Sequence, residues 1–187
     1  MNSGASYLIK ILVAGESAVG KTTLIQRYLS NRFLVGTKST IGIDFFTKKI
    51  FGSENAIPKI LKEDETLVLQ IWDASGEEKF REVLPLYSAG TQGVLLCFDT
   101  TRPETLKKLI EWDEVLSSLI TDPIPKILIQ TKSDLNSKVD TEEIDDFIKK
   151  RKIRNNNYFL TSSKDGTNVK EVFSDIVKAI FTQLIDV

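Results

Sequence analysis

The sequence predicts an α/β fold: a mostly parallel six-stranded sheet with helices on both faces, built as one domain over residues 1–187. Three observations carry that reading. Six short runs are continuously apolar or alternate in polarity with the period of a strand. From Gly93 onward these runs alternate with segments of helical periodicity, the β-α-β order that favours parallel pairing. A glycine-bearing loop, Gly15-Glu16-Ser17-Ala18-Val19-Gly20-Lys21-Thr22, stands between the first apolar run and the first helical segment.

Taken in order, residues 7–14 read as a buried strand and 23–29 as a helix. Residues 32–43 are polar and irregular. Residues 44–51 alternate in polarity, and with 65–72 they predict a hairpin. Its connection, 52–64, is much longer than the roughly two to five residues usual in hairpins, and it reads as an extended, solvated loop. Residues 93–98 form a short central strand ending at Asp99. Thr101-Arg102-Pro103-Glu104 then opens a helix with a capping box and a first-turn proline. Leu106, Leu109, Trp112, Leu116 and Leu119 make that helix's apolar stripe, so Trp112 reads as core rather than as a binding platform. After Pro123 and Pro125, residues 126–130 read as a strand, 141–150 as a helix and 158–160 as a short last strand. Val169, Val172, Phe173, Ile176, Val177, Ile180 and Leu184 share one face of a closing helix. The run Lys149-Lys150-Arg151-Lys152 with Arg154 reads as a solvated helix end whose cations suit the dipole there.

Composition narrows the function classes. The chain is 41% apolar and 27% charged, as in ordinary globular domains. Its 25 Lys+Arg against 26 Asp+Glu give no bulk field toward nucleic acid or anionic lipid. The single cysteine, Cys97, lies inside an apolar run and reads as a core residue; no disulfide can form within one chain, which fits a reducing compartment. No signal peptide or membrane span is evident, so a cytoplasmic monomer is expected. There is no histidine, so any chemistry must rest on carboxylates, lysine, phosphate oxygens and metal.

The loop at 15–22 has the form G-x-x-x-x-G-K-[ST], placed between a strand and a helix as phosphate binding requires. Its glycines let successive N–H groups along Ser17, Ala18, Val19, Gly20, Lys21, Thr22 and Thr23 turn toward phosphate oxygens, beside the positive end of a helix dipole. Lys21 would reach the outer phosphates, and Thr22 would offer its hydroxyl to Mg²⁺. A nucleoside triphosphate is the expected ligand.

In sheets of this kind ligands gather at the carboxyl ends of strands. Asp73 directly follows the predicted strand 65–72, where its carboxylate can hold a water of the Mg²⁺ shell, and Gly76 lets a backbone N–H approach the terminal phosphate. Thr131-Lys132-Ser133-Asp134 follows strand 126–130. A fixed carboxylate at Asp134 can accept from the ring N–H and exocyclic amine of guanine, and Lys132 can lay its stem along the purine. Thr161-Ser162-Ser163-Lys164 follows the last strand, where a backbone N–H can donate to the guanine carbonyl. The pair of tetrads favours guanine over adenine.

On these motifs the chain resembles a Ras-superfamily small GTPase, nearest the Rab branch, over almost its whole length. The phosphate loop, Ser39-Thr40-Ile41-Gly42-Ile43-Asp44-Phe45, Gln70-Ile71-Trp72-Asp73 with Glu78-Lys79-Phe80, and the two tetrads carry the resemblance. It implies a P-loop NTPase with a Ras-like G domain, GTP/GDP and Mg²⁺ as cofactors, and hydrolysis of GTP to GDP. By the same resemblance Thr40 of the first switch joins Thr22 and Asp73 around Mg²⁺, and Phe33 packs edge-on to guanine. Lys21, Thr40, Gly76 and Glu77 would serve catalysis, and Ser162, Ser163 and Lys164 the base. Loss of the terminal phosphate would free Thr40 and Gly76, releasing both switches to effector, exchange-factor and activating proteins. No nucleic-acid partner is implied. No arginine stands out as an internal finger, so acceleration falls to a partner.

Three positions depart from the family pattern. Glu77 stands where the family usually has glutamine; an ionised carboxylate accepts but cannot donate, which predicts slower hydrolysis. The opposite reading is that the triphosphate keeps this carboxyl protonated, able to donate or act as base. Ser75 replaces the usual alanine beside the metal and terminal phosphate. The chain ends Gln183-Leu184-Ile185-Asp186-Val187, without the cysteines that carry prenyl groups in Rab-like proteins. Either it works without lipid or a tail has been removed. The rival function from another class is a GTP-locked module that recruits effectors without turnover. An ATPase or nucleotide kinase is disfavoured by the Asp134 tetrad and the lack of a lid region.

Overall fold

Strand geometry sends successive side chains to opposite faces, and in the first strand both faces are apolar. In β1 (Ser6–Ala14), Ile9, Ile11 and Val13 enter one core while Leu12 and Ala14 enter another. Such a strand must be covered on both sides. The computed structural model, which describes residues 5–34, 36, 39–54 and 60–185, shows how. The sheet runs β2-β3-β1-β4-β5-β6. Its strands are β2 (Ile43–Phe51), β3 (Thr66–Ala74), β4 (Gly93–Asp99), β5 (Lys126–Thr131) and β6 (Tyr158–Leu160) beside β1. All neighbours are parallel except the β2–β3 hairpin.

Helices α1 (Lys21–Ser30) and α5 (Val169–Ile185) cover the face carrying Ile9, Leu95 and Ile127, with Tyr28 stacked 3.9 Å from Phe173. Helices α3 (Pro103–Leu119) and α4 (Thr141–Lys150) cover the face carrying Leu12, Leu96 and Leu128. Trp112 is fully buried on this second side. Cys97 is equally buried, and burial pushes its thiol up to about 12, out of reach of thiolate chemistry.

Several expectations need correction. The strand read as 65–72 continues to Ala74, because Asp73 and Ala74 pair with Asp44 and Ile43 across the hairpin; Asp73 therefore sits on the strand rather than after it. Asp99 and Thr131 likewise belong to their strands. The capping box at Thr101 does not form. Pro103 takes the first helical position, which makes Arg102 the cap, and the Thr101 hydroxyl donates instead to Asp99 Oδ1 at 2.7 Å. Leu184, read on the buried face of the closing helix, is 58% exposed, since the last turn passes beyond the core residues Ile180 and Phe181. Leu119 is only partly buried.

The basic run is not wholly solvated. Lys149 and Lys150 close the last turn of α4, but Arg151 reaches Glu114 at 3.0 Å and the buried Asp113 at 3.6 Å, beside Lys126 at 2.5 Å from the same Asp113. The connection 52–64 opens with a 3-10 turn, Gly52–Glu54, and is closed by the Gly52 N–H on the Glu65 carbonyl; residues 55–59 of it lie outside the described residues.

Three further elements were not read from the sequence: the 3-10 turns Glu78–Val83 and Asn155–Asn157, and α2 (Leu84–Ser88). Lys10 ties down the end of α2 by donating to the carbonyls of Tyr87 at 2.6 Å and Ala89 at 2.7 Å, with its ammonium 4.3 Å from the Trp72 ring centre. Phe173 joins α5 to α1 through its stack on Tyr28, within a core shared with Leu24, Ile25 and Val172. Phe173→Ala is expected to cost about 3–5 kcal/mol of unfolding free energy, read as a lower urea midpoint.

Candidate nucleotide-binding site

The phosphate loop is shaped by close approaches. Gly15 has φ of 139°, and a Cβ there would lie 2.2 Å from the Cys97 carbonyl oxygen. The loop then passes Ala18 in the left-handed region and ends at Gly20, the cap of α1, whose first turn holds no acidic residue. A helix start of this kind presents unpaired N–H groups to an anion. Ser17, Ala18, Val19, Gly20, Lys21, Thr22 and Thr23 all lie on this loop and first turn, as the motif requires. Lys21 is buried and its ammonium donates to the carbonyls of Gly15 at 2.7 Å and Glu16 at 2.9 Å. Burial lowers its pKa, and the Asp73 carboxylate opposes that.

Three oxygen donors converge next to Lys21. The Thr22 and Thr40 hydroxyls are 2.8 Å apart, and Asp73 Oδ2 lies 2.5 Å from the first and 3.4 Å from the second. Asp73 Oδ1 is buried and has no hydrogen-bond partner among the described residues. One carboxylate and two hydroxyls are hard donors that suit Mg²⁺, an ion that takes few protein ligands and shares the rest with phosphate and water. The orphaned Oδ1 fits that use. Burial raises the Asp73 pKa to about 6, against the opposing pull of the Thr22 bond and Lys21.

Gly76 packs its backbone onto the loop so tightly that a Cβ would stand 2.1 Å from the Ser17 nitrogen. Glu77 follows, with its carboxylate 2.7 Å from the Lys79 ammonium. Ser75 is buried, its N–H donates to the Gly42 carbonyl at 2.8 Å, and its hydroxyl stands 3.4 Å from the Glu77 N–H. The segment that follows β3 is thereby joined to the segment that carries Thr40.

The base-side tetrads meet. The buried Ser162 hydroxyl donates to Asp134 Oδ1 at 2.8 Å, and the Ser133 N–H donates to the Thr161 carbonyl at 3.0 Å. Lys164 reaches Asp134 at 3.8 Å, and Ser163 follows on the same turn. Thr131 donates to the Val19 carbonyl at 2.6 Å, and Lys132 to the Ala18 carbonyl at 3.0 Å. Phe33 is exposed and belongs to neither core cluster.

Other residues at the loop were not identified from the sequence. Arg102 donates to the Ser17 carbonyl at 2.9 Å and to Asp99 Oδ2 at 3.1 Å; Lys132 reaches the same Asp99 oxygen at 2.5 Å. Burial of Asp99 works against ionisation, but the bonds from Lys132 and Thr101 outweigh it and hold the carboxyl below its ordinary value. Glu16 meets Arg81 at 2.9 Å and Lys108 at 3.1 Å. The available signals were a charged residue inside the phosphate loop and an arginine just before a helical proline.

The raised Asp73 pKa sets a pH dependence. The folded state binds this proton more tightly than the unfolded chain, so stability is lost as pH rises from the ordinary 3.8 through about 6. In nucleotide- and metal-free protein, Asp73→Asn should therefore raise stability by up to about 3 kcal/mol at about pH 8, with the gain disappearing toward about pH 4. Urea melts across that range measure it.

Comparison with known proteins agrees with the geometry. A family model described as Ras family matches residues 10–182. Ras-related protein RABA5c of Arabidopsis thaliana is 34% identical over 184 residues, 97% of this chain and 79% of its own length. GTP-binding protein ypt4 of Schizosaccharomyces pombe is 35% identical over 181 residues, 95% and 74% of the two chains. Ras-related protein Rab-11A of Dictyostelium discoideum is 34% identical over 177 residues, 94% and 77%. With a phosphate loop, an all-oxygen donor cluster and paired post-strand tetrads on a six-stranded sheet, this chain belongs to the Ras family and is a Rab-like small GTPase.

Proposed function

We propose that this protein is a GTP/GDP switch in membrane traffic that hydrolyses GTP slowly and signals through the surface formed by its two switch segments. The observation that carries the reading is the convergence of Thr22, Thr40 and Asp73 beside Lys21, with Gly76 seated on the Ser17 nitrogen. Lys21, the loop N–H groups and the Gly76 N–H would stabilise charge on the terminal phosphate, and Thr40 would sense its presence. Bound Mg²⁺, held by Thr22, Thr40 and Asp73, would neutralise charge on the phosphate oxygens. Asp134 would accept from the ring N–H and amine of guanine, steadied by the Ser162 hydroxyl and with Lys132 alongside the purine.

Glu77 supports slow chemistry. Paired with Lys79 at 2.7 Å, its carboxylate can accept from an attacking water but offers no donor to phosphate, whereas glutamine offers both. The same pairing favours the second reading, a GTP-bound module that recruits effectors with little turnover. None of the described helices is long and apolar enough to cross a membrane. A partner surface lies where the switches meet. Phe45, Trp72 and Tyr87 form a line of rings with centres 5.1 and 5.4 Å apart, and Ile41 and Leu86 of the same two segments are exposed. Exposed apolar and aromatic groups of this kind suit an effector or regulator.

Loading the protein with Mg²⁺-GTP and following bound GTP and GDP by chromatography tests the function. Conversion at roughly 10⁻⁴ per second is expected for the timed switch, and persistent GTP on folded protein would favour the effector module. Glu77→Gln is expected to raise the rate; an unchanged or lower rate would sink the role given to this carboxylate. Asp134→Ala should weaken GDP binding by about 100-fold or more without improving ADP binding, measured by calorimetry.

A further inference from the structure

The segment that carries Glu77 is attached to the body of the protein at Gly76, where a Cβ would stand 2.2 Å from the Glu16 carbonyl carbon and 2.1 Å from the Ser17 nitrogen. Beyond it the 3-10 turn Glu78–Val83 contains no fully buried residue, and apolar burial, through the half-buried Phe80 and Val83, holds it only in part. One side chain of the turn does reach inward. Arg81 is 14% exposed, and its two terminal nitrogens are both committed: one to Glu16 Oε1 at 2.9 Å and one to Glu111 Oε2 at 2.7 Å. Its guanidinium lies 5.0 Å from the centre of the Trp112 ring.

Glu16 is equally enclosed, with a side-chain exposure of 14%. Its second oxygen takes the Lys108 ammonium at 3.1 Å, and the Trp112 indole N–H donates to its first at 3.3 Å. Burial of Glu16 works against ionisation, yet the bonds and charges of Lys108, Trp112 and Arg81 together hold its carboxyl below the ordinary value. A planar guanidinium gripping two carboxylates over an aromatic ring is directional, and a single ammonium would not reproduce it.

We propose that Arg81 is a positioning residue for GTP hydrolysis: by gripping Glu16 it fixes the switch segment to the phosphate loop at a second point, with Glu77 held between the two. The proposal rests on the reading that this chain hydrolyses GTP. The Glu16–Ser17 peptide touches Gly76, and the Glu16 side chain touches Arg81, so one residue of the phosphate loop sets both ends of the six-residue stretch 76–81. Without the grip on Glu16 the far end of the stretch keeps only the bond to the exposed Glu111, and the Glu77 carboxylate loses its fixed place relative to an attacking water. Arg81 acts by position, through its enclosed bond to Glu16 with the exposed Glu111 as a second acceptor, and does not itself touch the reacting atoms.

The test uses the full chain loaded with Mg²⁺-GTP in single-turnover hydrolysis, alongside GDP affinity. Arg81→Ala and Arg81→Lys are each expected to slow hydrolysis by about tenfold while GDP affinity stays within about twofold. Glu16→Gln, nearly isosteric and so less disturbing to folding, should slow it similarly, and the Arg81→Ala, Glu16→Gln double variant should be no slower than the worse single one. Hydrogen exchange should speed up over residues 77–83 and stay unchanged in the sheet. An Arg81→Ala protein that hydrolyses at the parent rate overturns the proposal, as does a loss that appears equally in GDP affinity or effects that multiply in the double variant. A parent chain that holds GTP and never hydrolyses it overturns the functional reading instead.

Discussion

A peptide loop that turns its N–H groups inward toward phosphate must turn its carbonyls outward, and those carbonyls need donors. This one constraint organises much of the molecule. Lys21 serves the carbonyls of Gly15 and Glu16, Arg102 serves Ser17, Lys132 serves Ala18 and Thr131 serves Val19. Five consecutive carbonyls, 15–19, are thus taken up by side chains from three places in the chain. Asp99 joins two of those donors by accepting from both Arg102 and Lys132. The tetrad that would read the base is thereby also part of the frame that keeps the phosphate loop in shape. The proposed phosphate and base sites are one hydrogen-bonded unit rather than two pockets.

The unit is held against an electrostatic cost. Lys21 and Asp73 are both buried, burial shifts each toward its neutral form, and each partly offsets the other. Asp73 also has an oxygen with no hydrogen-bond partner among the described residues. Such groups are expensive in a fold that needed only to be stable, and they cluster where ligand charge would be placed. The surrounding sheet, buried on both faces through β1, β4 and β5, supplies the rigidity that tolerates them.

The parts legible in the sequence were those written locally. The strand runs, the long stripe of α3 and the phosphate loop are contiguous patterns, and they lie where they were expected. Short elements were missed because five or six residues, as in α2 and Glu78–Val83, carry no reliable period. The capping box failed because Pro103 overrode Thr101 in setting the helix start. Strand ends slipped because hairpin pairing, a two-strand property, carried β3 on to Ala74. The contacts of Glu16 with Arg81 and Lys108, and of Arg102 with Ser17, were illegible for a deeper reason: they join residues 65 to 92 positions apart, and no local spacing encodes them.

The two tryptophans of this chain occupy two functionally different places. Trp72 is half-buried between Phe45 and Tyr87 on the proposed partner face, above the Lys10 ammonium. Trp112 lies in the core beneath the Arg81 guanidinium. The molecule therefore carries its own optical reporters. A docked partner would shield the first indole from an aqueous quencher, whereas departure of Arg81 would remove a cation from over the second. Trp72→Phe leaves Trp112 as the sole indole emitter, so unlabelled protein would report the state of its phosphate loop by emission alone.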